Sequence, residues 1–182
     1  NGLEHIKRVP QIEAAPYVAL QHETYKKEEG NPYRSGKNTL FRAGIDGKVS
    51  LASNVILDYT INPDFGQVEA DPSVVNLTAF ETYFSEKRPF FIEGKNILDF
   101  QITPGNNSFS GDNLFYSRRI GRKPQYTPDA NYVNIPKATP ILAALKLTGK
   151  TKDGWSFGAL ESMTGRTSAE ITDGTEENSI LC

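Results

Sequence analysis

The stretch from Asn38 to Ile61, NTLFRAGIDGKVSLASNVILDYTI, decides the fold. Taken two residues at a time, Thr39, Phe41, Ala43, Ile45 and Val49 fall on one face of a strand, while Asn38, Arg42, Asp46 and Lys48 fall on the other. Successive strand side chains point to opposite sides, so this alternation reads as a half-buried strand. Ser50 to Asn54 turns the chain. Val55, Leu57, Tyr59 and Ile61 then resume the apolar face opposite Asp58, Thr60 and Asn62. The reading is a hairpin of two long strands, apolar on one side and polar on the other.

Working outward, Gln11 to Tyr25 reads as a further long strand, and Pro16 makes it an edge or an irregular one. Lys26 to Lys37 (KKEEGNPYRSGK) is a charged, turn-rich loop. Alternation returns at residues 139–164, where Ile141, Ala143, Leu145 and Leu147 lie opposite Leu142, Ala144, Lys146 and Thr148. Asp153-Gly154 is a hairpin turn. After it Trp155, Phe157, Ala159 and Met163 alternate with Ser156, Gly158, Ser162 and Thr164. Both hairpins are expected in one antiparallel sheet, with Arg42, Asp46, Lys48, Asp58 and Lys146 on its polar face. Residues 62–136 read as a compact loop and short-helix insert, with a helix near 72–84. Asp71 caps that helix, Pro72 opens it, Val74, Leu77, Phe80 and Phe84 form its stripe, and Pro89 stops it. Residues 165–182 read as a polar loop. The parts 11–61, 62–136, 139–164 and 165–182 are expected to form one mainly β unit.

Composition narrows the function. The chain has 182 residues and a formal net charge of −2, which removes the bulk electrostatic case for nucleic acid. Aromatics at 10% argue against disorder. The longest apolar run, Ala14 to Leu20, contains Pro16 and falls far short of the roughly 20 residues of a membrane helix. Barrel strands leave only a weak alternating signal, so a membrane β-barrel stays open. From pattern alone a long soluble sheet comes first, as the commoner architecture. A single cysteine, Cys182, excludes an internal disulfide and a cysteine-rich zinc site. The opening at Asn1, without Met, reads as a mature fragment or an excised piece.

Several motifs suggest chemistry and fail on context. Gly154-Trp155-Ser156-Phe157-Gly158 matches a nucleophile elbow, but Ser156 opens an alternating strand instead of ending one. Gly149-Lys150-Thr151 lacks both the first glycine of a phosphate loop and the helix that follows it. Asp64, Glu69 and Asp71 match no calcium loop. No catalytic residue, cofactor or metal is assigned. The blocks Phe84 to Gly94 (FSEKRPFFIEG) and Phe115 to Arg122 (FYSRRIGR) interleave acids and arginines with large aromatics. Arginine's planar fork fixes carboxylates bidentately, so Asp64, Glu86, Arg88, Glu93, Arg118, Arg119 and Arg122 are candidates for structural ion pairs. An anion or sugar site is the functional alternative. The insert is expected against the polar face of the sheet.

The runs Asn62 to Pro72, Val75 to Thr78, Phe80-Glu81, Glu86 to Phe91 and Phe115 to Arg122, with the hairpin Pro140 to Thr164, resemble a Bacteroidota-type family of long secreted or outer-membrane proteins. In that family a domain of unknown function follows a carbohydrate-binding-module-family-nine-like domain. The resemblance implies the antiparallel hairpins of an outer-membrane β-barrel with a plug-like insert, and it moves the barrel ahead of the soluble sheet. It implies an outer-membrane location, with secreted or periplasmic as the alternative. The partners implied are outer-membrane lipid, other envelope proteins or glycans, and no nucleic acid. The role implied is envelope transport or architecture. The alternatives are a soluble carbohydrate-binding β domain and a glycoside-active hydrolase.

Overall fold

The structure, a computed structural model, describes residues 11–64, 83–99, 114–124, 126, 128–172 and the backbone of 177–181. Eight strands follow in chain order: β1 (Ile12–Thr24), β2 (Lys37–Ala52), β3 (Val55–Ile61), β4 (Tyr132–Asn134), β5 (Ile141–Lys150), β6 (Ser156–Thr164), β7 (Ser168–Thr172) and β8 (Glu177–Leu181). Among the described residues two one-turn α-helices, α1 (Pro89–Ile92) and α2 (Lys95–Leu98), lie between β3 and β4. The fold is mainly β and antiparallel. The large sheet runs β1-β2-β3-β5-β6, and a small one runs β4-β7-β8. The large sheet is open, with β1 and β6 at its edges. Pro16, which cannot donate to a ladder, sits on an edge strand as its chemistry requires.

Register places the charges. Lys48 faces Asp58 across β2 and β3, and Asp58 faces Lys146 across β3 and β5. One face therefore carries Arg42, Asp46, Lys48, Asp58, Thr60 and Lys146. The other carries Phe41, Ile45, Leu57, Tyr59, Leu145 and Phe157. The polar face is the buried one. Lys146 is 0% exposed and Thr60 1%, whereas Phe41 is 69% and Leu20 72% exposed on the opposite side.

Part of the polar face is covered by α1 and α2. Phe91 packs with Ile141 and Ala144, flanked by Phe90, Ile120 and Leu160, in a small apolar cluster on the covered side. Gly158 makes room for α2, because a Cβ there would stand 2.8 Å from Leu98 Cδ2 and 3.0 Å from Ile97 Cγ2. On the open face the ring of Phe157 lies across Gly149, its cross-strand partner, and Tyr59 does the same over Gly47. Such pairs restore side-chain cover where glycine supplies none.

The helix near 72–84 lies outside the described residues except for Tyr83 and Phe84, which are not helical. Three other sequence readings need correction. Pro89 opens α1 instead of stopping a helix, since its missing N–H costs nothing at a first helical position. Ile141 does not share a face with Leu145. A β-bulge between Ile141 and Ala143 turns Ile141 into the covered cluster. Residues 165–182 are not simply a loop, because β7 finds a partner in β4 and another in β8. Pairing with Tyr132–Asn134, distant in sequence, overrides the weak local pattern.

The contact at Gly158 gives a test. Gly158→Val puts two methyl groups where Leu98 and Ile97 sit, and overpacking of this kind costs about 1–3 kcal/mol. Limited proteolysis should then cut within residues 83–99 faster than in the parent, while strand content by circular dichroism is unchanged.

Candidate functional site

The chain between β3 and β5 holds two segments, 83–99 and 114–124, that grip each other through one ion pair. Pro89 disfavours helical geometry in the residue before it, and Arg88 is extended at φ −77° and ψ 120°. That extension turns its side chain back onto Glu86. Arg88 Nε donates to Glu86 Oε1 at 2.8 Å and Nη2 to Oε2 at 2.7 Å, a bidentate fork. The Lys87 and Arg88 backbone N–H groups also donate to Oε1, at 3.0 and 2.9 Å. Ser117 Oγ donates to Oε2. Two further Arg88 donors reach across to the Ile120 carbonyl at 2.7 Å and the Ser117 carbonyl at 2.8 Å. The guanidinium also lies 4.2 Å from the centroid of the Phe91 ring. Both side chains are buried. Burial works against the Glu86 charge, but the hydrogen bonds from Arg88 and Ser117 outweigh it and hold the carboxyl below its ordinary range.

Tyr116 and Arg118 extend the grip. The Tyr116 hydroxyl accepts from the Phe84 N–H at 2.7 Å and donates to the Phe84 carbonyl at 3.2 Å. Arg118 Nη1 donates to the Ser85 carbonyl at 3.0 Å. Arg119 lies over the Tyr116 ring at 5.8 Å, and Arg122 is exposed just beyond. Where the segments meet, a cleft of about 320 Å³ opens between aromatic walls.

A second set of contacts joins this insert to the sheet. Lys146 Nζ sits 3.2 Å from Asp58 Oδ2 and donates to the carbonyls of Phe90 and Glu93, the latter at 2.7 Å. Three donors meet three acceptors, with the Phe90 ring 4.7 Å away. Gly94, at φ +67°, turns the chain from α1 into α2 beside Thr148. The Glu93 carboxylate accepts from Lys48, and Asp64 lies 3.5 Å from Arg42. Glu93 and Asp64 therefore pair with cations of β2 and not, as the sequence suggested, with arginines of the insert. The sequence places Lys146 and Lys48 only as members of a strand face. The signal for Lys146 is its isolation within the apolar run Ala143 to Leu147.

Among the described residues no cluster of His, Cys, Asp and Glu could hold a metal. Ser156 is the first residue of β6, with no strand-to-helix elbow around it. The arrangement fastens segments together.

A family model described as Domain of unknown function (DUF5916) matches residues 11–180. The chain belongs to that family. No curated protein matches the chain, and no solved structure matches it either. The organisation of this DUF5916 chain therefore rests on its own geometry.

Two measurements probe it. Lys146→Ala leaves the buried Asp58 carboxylate with Lys48 alone, 3.9 Å from its Oδ1, so the loss should sit at or below the low end of the roughly 3–5 kcal/mol of a fully unpaired buried charge. The double variant Lys146→Ala, Asp58→Ala should recover part of that loss in chemical denaturation. The Glu86 clamp makes a pH prediction. Its folded pKa lies below the unfolded value of about 4.3, so its contribution is complete above that pH and falls away as pH drops through the folded value. Proteolysis of residues 83–124 should rise in the parent as pH falls below the ordinary carboxylate range. In Glu86→Gln it should already be high at neutral pH and depend less on acid.

Proposed function

We propose that this DUF5916 chain forms part of the wall of an outer-membrane β-barrel in a Bacteroidota-type cell, with its insert folded into the lumen as a plug. Its role is envelope transport or architecture, and lipid is the partner of its open face. The observation that carries this reading is the inverted polarity of the large sheet. Asp58, Thr60 and Lys146 are buried, whereas Val18, Leu20, Phe41, Leu145 and Met163 stand exposed on the other side. A water-soluble sheet buries its apolar face. A barrel wall turns that face to lipid and keeps polar groups inside.

The ends of the sheet support the same reading. Strands β2 and β3 are joined by Ser53-Asn54, and β5 and β6 by residues 151–155. The opposite end carries residues 25–36, 62–140 and the chain leading to β7. Membrane barrels likewise have short turns on the periplasmic side and long loops outside. Strands β1, β2, β5 and β6 have 13, 16, 10 and 9 residues, spanning the roughly 9–11 that a tilted strand needs. At 7 residues β3 is shorter, and it ends where Asn62 leads into the insert. Glu161 is the only carboxylate on the lipid side of the five described strands. It pairs with Leu145 near the middle of β5, where a carboxylate facing lipid costs less than the roughly 2–4 kcal/mol of a lysine or arginine at the midplane. Closing a barrel takes at least eight strands, so about three more would have to pair with the free edges of β1 and β6.

Lipid contact tests the proposal. Phe41→Trp and Leu145→Trp, each in a Trp155→Phe background, should show blue-shifted emission that brominated phosphatidylcholine quenches in liposomes. Water-exposed emission untouched by the brominated lipid would overturn the barrel reading.

A further inference from the structure

The connection between β1 and β2 is a built loop that leaves three lysines at the end of an apolar face. We propose that Lys26, Lys27 and Lys37 seat this end of the sheet against the phosphates of anionic membrane lipid. The inference rests on the barrel reading and names the class of lipid that the long-connection end selects.

The loop consumes one of its own acids. Glu28 Oε1 accepts from Arg34 Nη1 at 2.7 Å, and its Oε2 accepts from Asn31 Nδ2 at 2.9 Å. The Arg34 guanidinium also lies 5.5 Å from the centroid of the Tyr25 ring. Tyr33 ties the loop down, with its hydroxyl 2.7 Å from Thr172 Oγ1 of β7. Within residues 25–37 that leaves Lys26, Lys27 and Lys37 against Glu29 alone. All three lysines are exposed, and among the described residues none forms an ion pair. Lys27 packs over Gly36, where a Cβ would stand 3.5 Å from its own, so it lies beside Lys37 at the end of the ladder.

Strand alternation sets their depth. Lys37, Thr39 and Phe41 share the open face of β2, opposite Thr24, His22 and Leu20 of β1. From Phe41 to Lys37 that face passes from apolar side chains, through His22 Nδ1 and Thr39 Oγ1 at 2.7 Å, to a cation. Four residues cover about 13 Å along a strand, or about 10 Å of depth at the usual tilt of a barrel strand. With the Phe41 ring in hydrocarbon, Lys37 lies at the level of the headgroups. Lysines held there are drawn to anionic lipid, and the attraction is screened by salt. A zwitterionic headgroup carries its own cation beside each phosphate and gives the lysines no net charge to meet.

Lipid selectivity around a reporter tests this, with Phe41→Trp in the Trp155→Phe background. Its quenching is measured in vesicles that mix brominated phosphatidylcholine with phosphatidylglycerol, and in the reverse pairing. Phosphatidylglycerol should be favoured around the reporter by about threefold or more, and the preference should shrink at about 0.5 M salt. Lys26→Gln, Lys27→Gln and Lys37→Gln together should abolish it, with strand content by circular dichroism unchanged. Lys152→Gln, beside Asp153 at the opposite end of the sheet, is the control and should leave the preference intact. Equal affinity for the two lipids in the parent overturns the proposal. A preference that survives the triple substitution, or that falls as far in Lys152→Gln, overturns it as well. Those outcomes leave the barrel reading standing, because the reporter is still quenched. A reporter that no brominated lipid quenches overturns both.

Discussion

The fully buried ammonium of Lys146 is the contact on which the arrangement of sheet and insert depends. It projects from β5 onto the face where Asp58 of β3 meets it, and its other two donors are taken by the carbonyls of Phe90 and Glu93. A buried lysine must have its charge and all its donors matched, and each match fixes a different relation. Asp58 ties the ammonium to the neighbouring strand, and the two carbonyls place α1 over the sheet. A one-residue slip of β5 would send Lys146 to the open apolar face and leave Asp58 buried without it. Register and insert position are thus enforced by one side chain.

With the polar face committed to that contact, the opposite face has to satisfy itself without the insert. Its residues are large and apolar, and its glycines are roofed by the aromatic side chains of their cross-strand partners, Phe157 over Gly149 and Tyr59 over Gly47. Such pairs strengthen a ladder by side-chain contact on one face, at about 0.2–1 kcal/mol per pair. They do not hide that face from solvent. The apolar cluster of Phe91, Ile141 and Ala144 is small for a sheet of five strands. The burial that stabilises an ordinary soluble sheet is absent from the side where the apolar surface lies.

Much of this was legible from residues two apart. Phe41, Leu57 and Leu145 against Arg42, Asp58 and Lys146 defined strands, faces and their common sheet, because side-chain period is a local property. Pro16 marked the edge strand through its missing donor. What escaped was set by tertiary context. The bulge that turns Ile141 inward leaves the sequence alternation intact and changes only its meaning. Strand β7 exists because Tyr132–Asn134 lies beside it, not because its own sequence is strongly β. The bidentate match of Glu86 with Arg88 could be anticipated from Arg-Pro spacing. The partners of Glu93 and Asp64 could not, since Lys48 and Arg42 reach them through sheet geometry.

The two fastenings differ in what must exist before each can close. Glu86 and Arg88 are two residues apart, and their joint partners, Ser117 and Ile120, lie about thirty residues ahead. The Lys146 contacts to Phe90 and Glu93 span 56 and 53 residues. Loop entropy separates these spans weakly, since doubling a loop costs only about 0.6 kcal/mol. The larger difference is that Lys146 is matched only when β3 and β5 are paired, because Asp58 supplies its third partner. The chain leaves the sheet after Ile61 and returns at Ile141 into the adjacent position, so the whole insert is the connection of one long hairpin. Lys146, placed within the returning strand, fastens that connection onto the hairpin it spans. The clamp gives the insert its internal shape, and the strand pairing then decides where that shape is held.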